Sequence, residues 1–152
     1  MMRRLLLSLA VLAAPSLALA QSPQDVADAR IGYFRLLGLE MHDLAAMAKG
    51  EKDYDAEAAK THAANLEALT HYSMAGLLAP GTSNEDLPGK TRALPAIWDD
   101  MDGMHAKAEA YVAAVQNLNT VAGEGLDQLR PAVGKLGGAC KSCHDDFRAK
   151  DF

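Results

Sequence analysis

Residues 126–148 read LDQLRPAVGKLGGACKSCHDDFR, and within them Leu126, Leu129, Val133, Leu136, Cys140, Cys143 and Phe147 recur at alternating intervals of three and four. That spacing keeps one face of an α-helix apolar. The stripe runs through Cys140, Lys141, Ser142, Cys143 and His144, the Cys-x-x-Cys-His pattern that attaches a c-type haem. Two thiols at this separation can add to the two vinyl groups on one porphyrin edge, and the adjacent imidazole is a strong iron ligand. On a helix Cys140 and His144 lie one turn apart with Cys143 beside them, so all three face one haem surface. A redox dithiol or half of a zinc site fits poorly. The chain has two cysteines, so no second pair completes a four-ligand zinc shell, and no Val/Ile-rich strand precedes the motif as a thioredoxin-like unit requires. Pro131 interrupts the stripe; lacking an N–H, it predicts that the helix starts or kinks there.

Upstream, alanine is abundant, aromatics are few and apolar residues recur at three and four rather than two, so the chain reads as all-α. A first helix is expected from Pro23, behind Ser22 as cap, to Gly50, with Val26, Arg30, Phe34, Leu37, Met41, Leu44 and Ala48 on one face. Asp55 can cap a second helix whose stripe is Ala59, Ala63, Leu66, Leu69 or Thr70, Ser73 and Leu77. Residues 79–95 collect Pro80, Gly81, Pro88, Gly89 and Pro95 and form a long crossover loop. A third helix is expected over 96–122, with Ile97, Met101, His105 or Ala108, Tyr111 or Val112, Val115 and Leu118 inward, before Gly123 and Gly125 end it. Four amphipathic helices joined by short, long and short connections predict an antiparallel four-helix bundle with the haem near the C-terminal helix.

The other end of the chain carries an export signal. Arg3 and Arg4 precede an apolar run from Leu5 to Ala14, and Ala18, Leu19 and Ala20 form an Ala-x-Ala cleavage site. The run is about half the roughly 20 residues needed to span a bilayer. Residues 1–20 are therefore expected to be a cleaved signal peptide and 21–152 a single periplasmic domain, where covalent haem attachment also takes place. Removing Arg3 and Arg4 leaves thirteen Lys and Arg against twenty Asp and Glu. That acidity argues against nucleic acid or an anionic membrane as partner.

Because the haem motif lies so near the C-terminus, any sixth iron ligand must come from upstream. Phe34 is the largest aromatic on the first-helix stripe and cannot bind iron, so a haem covered by it is five-coordinate and open to small gases. Met41, two turns further on, is the alternative ligand, although a Met at helical spacing is more often core. His42, His62, His71 and His105 read as surface or hydrogen-bonded residues. Arg30, on the inward face, needs a partner, which a haem propionate supplies unless the side chain snorkels to solvent. Arg148, one turn after His144, would lie beside the proximal imidazole or else complement the helix C-terminus.

These residues together resemble the cytochromes c′, the high-spin branch of the class II cytochromes c. The similar segments are Arg30 to Phe34, Lys49 and Gly50, Tyr54 to Ala56, Pro80 to Thr82, Asp86 to Gly89 with Thr91, Ile97 and Trp98, and Leu136 to Arg148. The resemblance implies one haem c held by thioethers to Cys140 and Cys143, with His144 as the sole protein ligand of the iron and Phe34 at the distal site. It places Arg30, Ile31, Thr91 and Arg92 against the haem or its propionates and Arg148 against the proximal histidine. It implies a homodimer joined through the first two helices, binding nitric oxide, carbon monoxide when reduced, or exchanging electrons with an unidentified partner. The competing expectation is a six-coordinate electron carrier of the cytochrome c556 kind. With no acid–base group expected beside Phe34, the protein reads as non-enzymatic.

Overall fold

The structure is a computed structural model that describes residues 21–152, so the expected signal peptide, 1–20, lies outside the described residues. Helix α1 spans Pro23–Lys49. At its start the Ser22 hydroxyl accepts the Asp25 N–H and the Asp25 carboxylate accepts the Ser22 N–H, both at 3.1 Å. This reciprocal cap satisfies two donors that the first turn leaves without partners. Helix α1 ends on Gly50 at φ 79°, a left-handed conformation that a Cβ would strain. Helix α2, Ala56–Thr70, starts at Asp55, whose carboxylate accepts the N–H groups of Glu57 and Ala58. Helices α3 (Ala96–Asp99), α4 (Met101–Val121) and α5 (Leu126–Phe147) complete the described elements.

Helix α1 neighbours α2 and α5, and α4 neighbours the same two, which closes a four-sided bundle. Short connections make α1 antiparallel to α2 and α4 antiparallel to α5. The core between them holds Leu44, Met47, Leu66, Val115, Leu118, Leu129 and Leu136, all fully buried. Each such side chain contributes about 1.5–3 kcal/mol by leaving water.

Three local expectations are corrected. Helix α2 ends at Thr70, where its hydroxyl donates to the Glu67 carbonyl and the His71 and Tyr72 N–H groups close onto Ala68 and Leu69. Ser73 is therefore exposed, and Leu77 is buried through a separate 3-10 turn, Met74–Leu77. The third helix is split at Asp100, whose carboxylate accepts the Gly103 N–H at 2.9 Å and restarts the helix as α4. A Cβ at Gly103 would sit 2.1 Å from Asp100 Oδ2, so this cap requires glycine. The restart shifts the register. Met101, His105 and Ala108 are exposed, and Met104 takes the inward place. Finally, α5 starts at Leu126, so a helix start at Pro131 is corrected; the proline lies inside the helix, exposed on the second turn beside the exposed Asp127. The Asp127 carbonyl, whose donor the proline removes, thus faces water.

The crossover, 78–95, has its own order. Ser83 and Asp86 cap one another, with the Ser83 hydroxyl donating to the Asp86 carboxylate at 2.6 Å and accepting the Asp86 N–H at 3.1 Å. The strand-like end of the loop pairs with the chain after α5: Leu94 N–H donates to the Phe147 carbonyl at 3.0 Å and Ala149 N–H to the Arg92 carbonyl at 2.8 Å, an isolated antiparallel bridge between Ala93 and Arg148. Among the described residues no helix is long and apolar enough to cross a membrane.

Candidate haem site

Helix α1 and the C-terminal half of α5 form opposite walls of a cavity of about 850 Å³, with the crossover as its rim and Ile97 and Met104 packed with Phe147 and Cys143 on the α5 side. From α1 come Arg30, Ile31 and Phe34; from the crossover, Thr91 and Arg92; from α5 and its exit, Cys143, His144, Phe147 and Arg148. The Phe34 and His144 rings meet edge to face, with centroids 6.3 Å apart and planes at 71°. One turn of helix separates Phe34 from Arg30, so the first-helix stripe delivers both to the same space.

Arg30 is 3% exposed, and its guanidinium donates four hydrogen bonds. Nη1 reaches the Leu77 carbonyl (3.0 Å) and the Thr82 hydroxyl (2.8 Å); Nη2 reaches the Thr82 carbonyl (2.6 Å) and the Thr91 hydroxyl (3.0 Å). The partners of this inward cation are thus neutral oxygens of the 3-10 turn and the crossover, with no carboxylate among them. Burial pulls its pKa down without removing its charge. A buried cation balanced only by dipoles suits a site that also receives an anion.

His144 is half-buried, and burial followed by the Arg92 guanidinium lowers its pKa, favouring the neutral imidazole that can bind a metal. Arg148 follows it by one turn, as the spacing predicts, but as the residue that caps the helix. The helix has already ended, and Arg148 is extended at φ −129°, donating its N–H to the His144 carbonyl at 3.2 Å while its side chain reaches the cavity from the exit strand. Arg92 is the cation that the imidazole senses.

Cys143 borders the cavity. Cys140, one turn earlier, packs partly buried against the bundle core. Burial raises the pKa of both thiols, the reverse of the depressed values that redox Cys-x-x-Cys pairs use. Met41 packs against the bundle core and does not border the cavity. His42, His71 and His105 are exposed, and His62 Nδ1 lies 2.7 Å from the Glu40 carboxylate. Met104, Arg35, Lys90 and Phe152 line the cavity without having been singled out. The Asp100 cap would have revealed Met104, whereas nothing local marks the others.

The fit to haem is good on three counts. The volume falls within the roughly 300–1,000 Å³ of cofactor pockets. The walls are mainly apolar, with a metal-ligating imidazole on one side and an attachable thiol at its edge. The rim supplies cations for propionates.

The family profile described as Cytochrome C' matches residues 25–148. A cytochrome c′ of Cereibacter sphaeroides is 54% identical over 149 residues, covering 98% of this chain and 99% of its own. The chain belongs to the cytochrome c′ family. As a member it is a haem c protein. A solved cytochrome c′ from Rhodobacter sphaeroides superposes with a TM-score of 0.84 at 55% identity, covering 86% of this chain and 99% of the other. A nitric oxide complex of a variant cytochrome c′ from Alcaligenes xylosoxidans superposes at 0.73 with 30% identity, covering 84% and 97%. The cytochrome c′ bundle is therefore shared along the described chain.

Proposed function

We propose that this cytochrome c′ is an exported, periplasmic, five-coordinate haem protein that binds nitric oxide, and carbon monoxide when reduced, and exchanges single electrons. Cys140 and Cys143 hold the haem as thioethers, His144 is its one protein ligand, and the iron supplies the open position at which a diatomic gas binds. The observation that carries this reading is the α1 wall: Gln24, Asp28, Arg30, Ile31, Phe34, Arg35 and Gly38 line the cavity from that side, none is a histidine, methionine or cysteine, and the Asp28 carboxylate is held by the Gln24 amide at 3.1 Å. Met104, the one methionine on the cavity, packs with Phe147 and Cys143 on the His144 side. Phe34 offers bulk without a hydrogen-bond donor. It disfavours dioxygen, whose bound form needs charge stabilisation, and admits nitric oxide. The nitric oxide complex of the Alcaligenes xylosoxidans relative supports the same ligand here. The packing of Met41 in the core weighs against a six-coordinate electron carrier. Arg30, Thr91 and Arg92 anchor the propionate edge, and a binding protein rather than an enzyme is the reading supported by Phe34, which faces His144 with no acid–base group of its own.

Dimerisation through α1 and α2 belongs to the same proposal. Leu36 and Leu39 on α1 are 50% and 65% exposed, and Gly32 has no neighbour within 4 Å of a Cβ position, so an apolar, closely approachable strip is available. Gly38 serves the cavity instead.

The test is spectroscopic and kinetic. The purified protein should show high-spin absorption in both redox states. Phe34→Ala should speed carbon monoxide association to the ferrous protein by about tenfold or more, equivalent to about 1.4 kcal/mol of barrier. A low-spin spectrum abolished by Met41→Leu, with association unchanged in Phe34→Ala, would establish the electron carrier instead.

A further inference from the structure

The described chain is acidic, with thirteen Lys and Arg against twenty Asp and Glu, yet the mouth of the haem cavity is not. Arg35, Lys90, Arg92 and Arg148 border it, with Arg30 buried behind them and Asp28 as the one side-chain carboxylate, itself held by the Gln24 amide at 3.1 Å. Elsewhere several lysines find acids: Lys52 pairs with Asp43, Lys60 with Glu57, Lys107 with Asp146 and Lys141 with Asp145, while Lys135 and Lys150 do not. Among the described residues, none of Arg35, Lys90, Arg92 and Arg148 makes such a pair. Four cations against one side-chain carboxylate leave a surplus of three, which the two propionates of a haem would cut to one. The mouth thus stays positive on a negative molecule.

We propose that this mouth is the docking surface for an acidic one-electron carrier protein. The proposal rests on haem occupying the cavity, as argued above, and adds the charge class of the partner. On docking, one electron passes between the iron and the partner's redox centre: iron moves between ferrous and ferric while the partner changes by one electron in the opposite sense, and no bond forms or breaks. Unpaired cations at the rim give an acidic partner attraction at contact range, where local charge outweighs the distant net charge once salt shortens the Debye length to about 10 Å or less. Arg92 donates to the Lys150 carbonyl at 2.9 Å and belongs to the propionate edge, which leaves Arg35, Lys90 and Arg148, without acid partners, to meet carboxylates of another protein.

The sign of the salt dependence is decisive, because the net charge and the rim predict opposite signs. With an acidic flavodoxin hydroquinone reducing the ferric protein, the second-order rate should fall by about tenfold between 0.05 and 0.5 M ionic strength. Arg35→Glu with Lys90→Glu, which line the cavity but are assigned neither to the iron nor to the propionates, should flatten or invert that slope while the covalent haem is retained. A second readout needs no electron transfer: the redox-inert paramagnetic anion hexacyanochromate(III) should broaden the backbone amide signals of Arg35 and Lys90 and not those of the double variant. A wild-type rate that rises with salt, a slope unaltered by the double substitution, or broadening centred elsewhere overturns the proposal. A preparation without a covalent haem spectrum would instead refute the haem reading, a failure distinguishable from the first.

Discussion

Tyr111 on α4 packs against the bundle core, and its hydroxyl is buried with no hydrogen-bond partner. In the unfolded chain that hydroxyl is hydrated, so folding strips it of water and returns nothing, a cost of about 1–3 kcal/mol. Tyr111→Phe removes the hydroxyl while keeping the ring, so no cavity opens to offset the gain. The variant should be more stable by about 1–2 kcal/mol, or about 3–6 °C in Tm for a chain of this size. Denaturant unfolding of the haem-loaded protein checks it through a raised midpoint at constant slope. Alkaline pH gives a second arm. Burial raises the Tyr111 pKa above its ordinary value of 10.0, with smaller contributions from Tyr33 and Cys140. The folded state then keeps a proton that the unfolded state has released. Stability is full below about pH 10 and falls above it, by at most about 1.4 kcal/mol per pH unit for one group. Tyr111→Phe should remove that share of the alkaline loss and leave the share due to Tyr33, whose pKa burial also raises. Equal or lower stability at pH 7 would refute the reasoning, because it would mean that the hydroxyl has a partner in solution.

Arg30→Met strips four hydrogen bonds from the junction of α1 and the crossover and leaves the Leu77 and Thr82 carbonyls without that donor, so unfolding free energy should drop by about 3 kcal/mol, read by denaturant titration. Gly50→Ala forces a Cβ into φ 79° and should cost about 1 kcal/mol by the same measurement. Cys140→Ser with Cys143→Ser should yield protein whose haem is extracted by acid–acetone; haem retained through denaturation would refute thioether attachment. Sedimentation at micromolar concentration should give twice the monomer mass, and Leu36→Glu with Leu39→Glu should return it to monomer.

The parts of the molecule legible in the sequence are those fixed by neighbours within about one helical turn. The α5 stripe and its haem motif, the Ser22 and Asp55 caps and the Gly50 stop each depend on residues a few positions apart, and each stands where the pattern placed it. The Asp100 break was also local but was concealed by the apolar periodicity running across it, which put Met101 inside in place of Met104. The remainder is non-local. Arg30 finds its acceptors 47 to 61 residues away, and Arg148 leaves the helix because the crossover offers its exit strand hydrogen bonds that no spacing rule contains.

Phe34 and His144 belong to the first and last long helices, so the two faces of the cavity are made at opposite ends of synthesis. An incomplete chain can form α1, α2 and much of α4, yet it has no cavity to offer. Contacts of such long range close late and slow the search for the native state relative to a bundle built from neighbours alone. Chains cut short before α5 thus lack both the attachment thiols and the opposite wall, and only a finished polypeptide can become coloured. Haem incorporation accordingly reports that a chain is whole as well as that it is folded.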